Sequence, residues 1–388
     1  MAYTGISQPL QTTAFGDLDV AQYTPRVQLQ FPYNINTLEV TTATTGSGTV
    51  TFSQPFAVCS TGAATSSTAS LSSQNGLHYH CGEGGAVIFT CIFTAGAANS
   101  TQWAGLANSV DALWFGYNGT SFGINRRFNG SDNFVAQSSW NVDPLNGTGA
   151  SGMTLVPTNG NVYKIQYQWL GFGNINFFVE NPTTGKFVLV HMIQFSNANT
   201  STSLLNPAMN LNIQANNTTN NTNIVIKSSS MAGFVEGQVV NLGLSFSASS
   251  GVMSINSGST QAILTIRNNT TFNGITNRKS VTPASISLYN ANQIVLWTLI
   301  LDATLGGSPS FTNVNANTSV VSYDISATTA TGGTVLGSYY LFNNKNEITD
   351  ISSLFIRINP GHTLTAAAFV TAGGAINGGA AINWSEQF

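Results

Sequence analysis

The sequence predicts an all-β protein, and three observations predict it. Helix signals are nearly missing: few windows place apolar residues at i, i+3 and i+4, and the helix formers Glu and Lys are scarce. Short runs rich in Val, Ile, Phe, Thr and Tyr recur along the whole 388-residue chain. Clusters of Gly and Asn separate these runs at spacings that suit turns of sandwiches and jelly rolls.

In chain order, the strand-like runs of the first half lie at 27–31, 49–52, 86–93, 113–117, 162–169, 174–180, 186–194 and 210–214. Those of the second half lie at 224–227, 239–246, 261–267, 294–301, 319–325, 335–341 and 353–358. Asn118-Gly119 stands between two runs and reads as the turn of a hairpin. The stretch 162–194 reads as a three-stranded meander, with turns at 170–173 and 181–185. Tyr163, Ile165, Tyr167 and Trp169 alternate with Lys164, Gln166 and Gln168, so one face is apolar and the other polar.

Composition breaks suggest the domain organisation. Residues 1–26 hold few strand signals and two prolines, and read as an N-terminal arm that a partner must order. A Ser/Thr/Ala/Gly-rich loop is expected at 60–73, and an Asn/Thr-rich stretch at 214–223 marks the end of a first domain, 27–228. The second domain, 229–388, reads as a shorter β-sandwich whose Ala/Gly-rich end, 366–381, suits close packing.

Charge narrows the function classes. Only 6% of residues are charged, against roughly 25% in an ordinary soluble domain. The net charge is −3, so no basic field exists to grip nucleic acid. No run of 18 apolar residues predicts membrane insertion, and the N-terminus lacks an apolar export signal. Three cysteines cannot all pair within one chain, so buried thiols are expected rather than a disulfide framework.

Chemistry-bearing patterns are sparse. Asp111, Asp132, Asp143 and Glu180 are scattered carboxylates that only the fold could bring together as a hydrolytic pair. His78, His80, Cys81, Glu83 and Cys91 form the one metal-like grouping, without a matched second half, so neither metal nor cofactor is expected. The glycine pairs lack a following helix and Lys-Ser/Thr, and therefore form no phosphate loop. Arg126 and Arg127 are expected to pair with Asp or with backbone carbonyls. Trp114 and Trp169 lie in strand patterns and are assigned to the core, whereas Trp103 and Trp140 lie in loops and are the candidates for stacking on a sugar ring.

Four stretches carry a family resemblance: 14–18 with 25–36, 115–123, 161–171 continuing to 177–182, and 331–336. Among them are Pro25-Arg26-Val27-Gln28-Leu29-Gln30-Phe31-Pro32-Tyr33-Asn34, Phe115-Gly116-Tyr117-Asn118-Gly119-Thr120 and Tyr163-Lys164-Ile165-Gln166-Tyr167-Gln168-Trp169. The chain resembles surface proteins of large DNA viruses of aquatic protists and of some marine phages. The resemblance implies a fibre, capsid-decoration or attachment component of a virion and transfers no catalytic residue. The resulting expectation is a non-enzymatic virion surface protein with a part in host attachment. It would be assembled in the host cytoplasm, with a lectin-like jelly roll as its first domain. The expected partners are further copies of the chain, as a homotrimer, together with other virion proteins and a host surface glycan. The alternatives are a carbohydrate-binding adhesin module and, from a different class, a glycan-active hydrolase or lyase.

Overall fold

The computed structural model describes residues 21–79, 81–237, 243–371 and 373–386. The chain divides into two compact units, 1–239 and 240–388. The first contains β1 (Tyr23–Gln30), β2 (Val40–Thr45), β3 (Thr49–Ser53), β4 (Phe56–Ser60), β5 (Ser67–Leu77), β6 (Gly84–Phe93), β7 (Ser100–Ala107) and β8 (Ala112–Asn118). It continues through β9 (Ser121–Phe128), β10 (Ser131–Ala136), β11 (Asn161–Tyr167), β12 (Ile175–Asn181), β13 (Lys186–Ile193), β14 (Met209–Asn217), β15 (Val225–Ser228) and β16 (Ser230–Glu236).

Two antiparallel sheets form this unit. One runs β10-β9-β8-β7-β14-β5-β2. The other runs β13-β12-β11-β6-β15-β4-β3, with β16 on the first half of β6 and β1 on β16. Alternation puts Tyr163, Ile165 and Tyr167 of β11 and Leu113, Phe115 and Tyr117 of β8 into one buried core. Aromatic edge-to-face packing fills it: Phe115 meets Phe177 at 5.3 Å and 81°.

The expected meander is present as β11, β12 and β13. The expected hairpin after Tyr117 is also present, but its register pairs Asn118 with Ser121. Gly119 is therefore the first central residue, with φ 59°, the position where hairpins with a two-residue turn favour Gly. An Asn-Gly pair occupies both central positions one hairpin later, at Asn129 (φ 47°) and Gly130 (φ 80°).

The boundary at 228 and the loop at 60–73 need correction. β16 lies beyond 228 yet bonds to β6 and β1, so the first unit extends to 239. Ser67–Leu77 is an interior strand, between β14 and β2, whose small residues alternate inward and outward. The Asn/Thr-rich stretch ends β14 and forms a tied turn: Asn217 Nδ2 donates to Thr61 Oγ1 and to Thr222 O. Of the expected arm, residues 23–26 belong to β1, and 1–20 lie outside the described residues.

The second unit contains β17 (Leu244–Ser249), β18 (Met253–Ile255), β19 (Gln261–Asn268), β20 (Thr271–Phe272), β21 (Ile275–Thr276), β22 (Val281–Asn290), β23 (Val295–Leu301) and β24 (Thr304–Gly307). Then follow β25 (Thr312–Asn313), β26 (Val321–Asp324), β27 (Ala327–Thr331), β28 (Thr334–Leu341), β29 (Lys345–Asp350), β30 (Thr363–Val370) and β31 (Ile376–Glu386). Sheets β17-β31-β22-β29 and β25-β26-β19-β30-β23-β28 enclose a core of Leu264, Ile266, Trp297, Leu299, Ile382 and Trp384. The Ala/Gly-rich end supplies β30 and β31, where Ala366, Ala367 and Ala368 are buried. The run 353–358 is not a strand. Residues Ser352–Leu354 form one 3-10 turn, closed by Phe355 at φ 51°.

The fold class is thus all-β, with two β-sandwich units. Among the described residues no helix is long and apolar enough to cross a membrane.

Candidate functional site

The outward face of the β11–β12 meander is where the polar half of the alternation gathers. Gln166 pairs with Ala86 on β6 and with Asn176 on β12, and Glu236 pairs with Gly84 at the start of β6. These side chains border an open cleft of about 600 Å³. Gln168, Asn174 and Ser196 add polar groups, and Leu170 and Phe172 add an apolar rim.

The turn at 169–173 shapes that rim. Gly173 N donates to Trp169 O at 2.8 Å. A Cβ on Gly173 would lie 1.5 Å from Gln168 O, so the two chain segments approach as closely as glycine alone permits. The turn is anchored from outside. Tyr79 OH accepts Leu170 N at 3.1 Å, Trp169 Nε1 donates to Leu204 O at 3.0 Å, and Ser203 N donates to Gly171 O at 2.8 Å. Tyr79 also packs edge-on against Trp169, at 5.6 Å.

Among the described residues, Glu236 is the only carboxylate bordering the cleft. It accepts a hydrogen bond from Gln166 Nε2, and it lies over Gly84, where a Cβ would meet Glu236 Oε2 at 2.2 Å. Beside it, the Tyr23 hydroxyl is held well above its usual pKa by burial, by the Glu236 charge and by a hydrogen bond to Glu236. Burial lowers the Lys164 ammonium, and Glu236 opposes that shift. The ammonium sits 5.1 Å from the Tyr23 ring centroid and 5.0 Å from that of Phe178. Asn174 Oδ1 accepts Phe195 N at 3.1 Å, which fixes that amide. Asn176 Oδ1 is buried without a hydrogen-bond partner.

This arrangement suits binding of a neutral polyol. Amides offer both donors and acceptors, a carboxylate accepts two hydroxyls, and Phe172 and Leu170 offer surface to C–H groups. Hydrolysis of a glycosidic bond ordinarily uses two opposed carboxyl groups, and among the described residues one borders the cleft.

The residues singled out in the sequence lie elsewhere. Trp103 is in β7, not in a loop, and is 3% exposed. It stacks on Trp114 at 5.7 Å and 10°, because Gly116 leaves room for its ring. Trp140 is 5% exposed and packs edge-on against Phe115 and Phe122 in the core. Neither ring face is open to a sugar, so both are corrected from contact residues to packing residues. Trp114 is buried as expected, but in this outer cluster with Trp103 and Ala112 rather than in the main core.

The four carboxylates are not brought into one site. Asp111 accepts Asn129 N, Leu205 N and Asn206 N. Asp143 accepts Leu145 N and Ser151 N, and Asp132 takes a bidentate pair of hydrogen bonds from Arg127 at 2.8 and 2.9 Å. Glu180 lies on β12, in the other sheet. Arg126 Nη1 donates to Ser203 O at 2.7 Å, so both arginines take the partners expected of them.

His80 lies outside the described residues. Among the described residues no three His, Cys, Asp or Glu side chains are placed to hold a metal. Cys91 is buried in the core while Cys81 is exposed. The cleft does not stand out in the sequence because its amides are ordinary residues of the strands and of the connection between them. The only early signal was the polar half of the 163–169 alternation.

No protein-family model and no curated protein matches the sequence. Solved structures similar in fold include the Emp47p carbohydrate recognition domain, at 10% identity and TM-score 0.34, covering 56% of this chain and 97% of that one. Lectin II from Ulex europaeus gives 10% identity and TM-score 0.34, covering 55% and 100%. The VIP36 exoplasmic/lumenal domain gives 12% identity and TM-score 0.34, covering 56% and 95%. At these values the likeness carries no argument about ligand or activity.

Proposed function

We propose that the chain is a non-enzymatic carbohydrate-binding module, and that the β11–β12 cleft binds a neutral saccharide. The observation that carries this reading is the convergence of Gln166, Gln168, Asn174, Asn176 and Glu236 beside Leu170 and Phe172. Nearly every group bordering the cleft is an uncharged hydrogen-bonding side chain or an apolar surface, which is what a sugar ring requires. A single carboxylate among the described residues of the cleft fits recognition better than hydrolysis.

The setting we propose is the surface of a virion, where glycan binding would serve host attachment and the low charge would favour close packing of copies as a homotrimer. Composition and the sequence resemblance support that setting.

The test is a glycan array probed with the full chain, followed by calorimetry on any hit. Glu236→Gln keeps the side-chain volume and removes the charge. It is expected to weaken binding at least tenfold without hydrolysis of the glycan by either protein. Absence of any array hit, or equal affinity of the variant, refutes the reading. Light scattering at the mass of one chain refutes the trimer.

A further inference from the structure

Within the second unit, the outer face of β19 carries a cation that has no anionic partner among the described residues. Arg267 forms no ion pair with any Asp or Glu among the described residues. Its guanidinium instead lies on the Phe311 ring, with Cζ 3.9 Å from the centroid. Stacking of this kind fixes the plane of the guanidinium and leaves its N–H edge as the binding edge.

Arg267 borders a cleft of about 500 Å³ that Asn269, Thr270, Thr271, Asn273, Asn313 and Ser319 also line. Every one of these side chains is uncharged and can donate a hydrogen bond. The amides are positioned in advance: Asn269 Nδ2 donates to Asn313 Oδ1 at 3.3 Å, and Asn269 Oδ1 accepts Ser322 Oγ at 2.7 Å. One rim is the β20–β21 hairpin, whose Asn273-Gly274 turn takes φ 49° and 74°. Asn277 holds the base of that hairpin, donating from Nδ2 to Asn268 Oδ1 and Asn269 O, both at 2.6 Å.

The neighbouring carboxylates are already occupied. Asp324 accepts Ser310 N, Ala327 N and the Ser326 hydroxyl. Asp302 accepts His362 and Thr363 N. Glu386 is buried behind Ser319 and accepts Ser319 Oγ, Val320 N and Trp384 Nε1 at 2.6 to 2.8 Å. In a chain with only 11 Lys and Arg, an arginine fixed over a neutral, donor-lined cleft is a notable placement.

We propose that this cleft is an anion-binding site that takes the oxyanion of an acidic saccharide, carboxylate or sulfate ester, on the Arg267 fork. Arg binds such planar or tetrahedral oxyanions through two parallel N–H bonds, and the surrounding amides and hydroxyls match the remaining sugar hydroxyls. The site is independent of the β11–β12 cleft, which lies in the other unit.

The test is ligand-observed saturation-transfer NMR on the full chain, with sodium glucuronate, glucose 6-sulfate and glucose as probes. With the first cleft disabled by Glu236→Gln, at least one acidic probe is expected to bind, with glucose at least tenfold weaker, and the two acidic arms separate carboxylate from sulfate. Arg267→Gln is expected to cost at least tenfold. Asn313→Ala, on an exposed rim position, is expected to cost at least threefold and guards against misfolding of the first variant. Raising salt from about 50 to about 500 mM is expected to weaken binding several-fold. Equal binding of glucose by the Glu236→Gln protein, or unchanged binding in both Arg267→Gln and Asn313→Ala, overturns the proposal. Glu236→Gln is expected to leave this binding unaltered, so the two sites are tested separately.

Discussion

Replacing Asp111 by Asn tests whether this buried carboxylate is a structural tie. Asp111 is completely buried just before β8. Its Oδ1 accepts Asn129 N and Leu205 N, both at 3.2 Å, and its Oδ2 accepts Asn206 N at 2.7 Å. One side chain thus joins the β9–β10 turn to the segment that enters β14. Its charge also opposes the lowering that burial imposes on Arg126. Asparagine has the same shape, but either orientation of its amide points an NH₂ group at a backbone N–H. At least one buried donor then loses its acceptor, which costs about 1–3 kcal/mol. The remaining bonds lose their charge assistance, which roughly halves them. A total of about 3 kcal/mol follows from these two effects. In a unit of this size each kcal/mol moves the melting midpoint by about 2–4 °C, so a fall of roughly 6–12 °C is expected. Calorimetry of the full chain, scored on the first unit's transition, measures it. A fall below about 2 °C would show that water replaces the lost bonds and that Asp111 is no tie.

Three further outcomes follow from other groups. Burial pushes the Cys59 thiol up to about 12, and burial beside Cys59 raises Cys91, so only Cys81 should react with a disulfide reagent at pH 8. Reaction of two or three thiols in the native protein would contradict this, and all three should react in denaturant. His362 is raised by its hydrogen bond to Asp302, with burial opposing. Asp302 is lowered because the His362 and Thr363 hydrogen bonds outweigh burial. The histidine contribution is complete below the unfolded pKa of about 6.5 and is lost as pH rises through the higher folded value. The aspartate contribution is complete above about 3.9 and is lost as pH falls through the lower folded value. The pair therefore stabilises the second unit most between about pH 4 and 6.5, by less than about 1 kcal/mol because both groups are part-exposed. A His362→Asn variant should lose that pH dependence, and an unchanged profile would refute the assignment. Gly173→Ala puts a methyl group 1.5 Å from Gln168 O, so the 169–173 turn must move. Binding of any array-identified glycan should fall at least fivefold, and equal affinity would show that the turn does not shape the site.

The sequence by itself determined the all-β class. Alternation in runs such as 163–169 permits only a half-buried strand, and Asn-Gly and Gly-rich clusters bend the chain at fixed points. It also placed the meander and the partners of Arg126 and Arg127, because those depend on local pattern and on the cost of burying an unpaired charge. The tertiary structure decided everything that depends on which strands become neighbours. Position in a sequence does not say what covers a ring, so Trp103 and Trp140 read as contacts and are packed away behind Trp114 and Phe115. Glu236 stood in no motif, and became the centre of a cleft only when β16 paired with β6 beside Gln166. Arg267 likewise acquired its meaning from Phe311, 44 residues away in the chain and stacked on it in the fold. Strand pairing is long-range, and a polar residue on an exposed face looks the same in sequence whether its neighbours form a site or only a solvated surface.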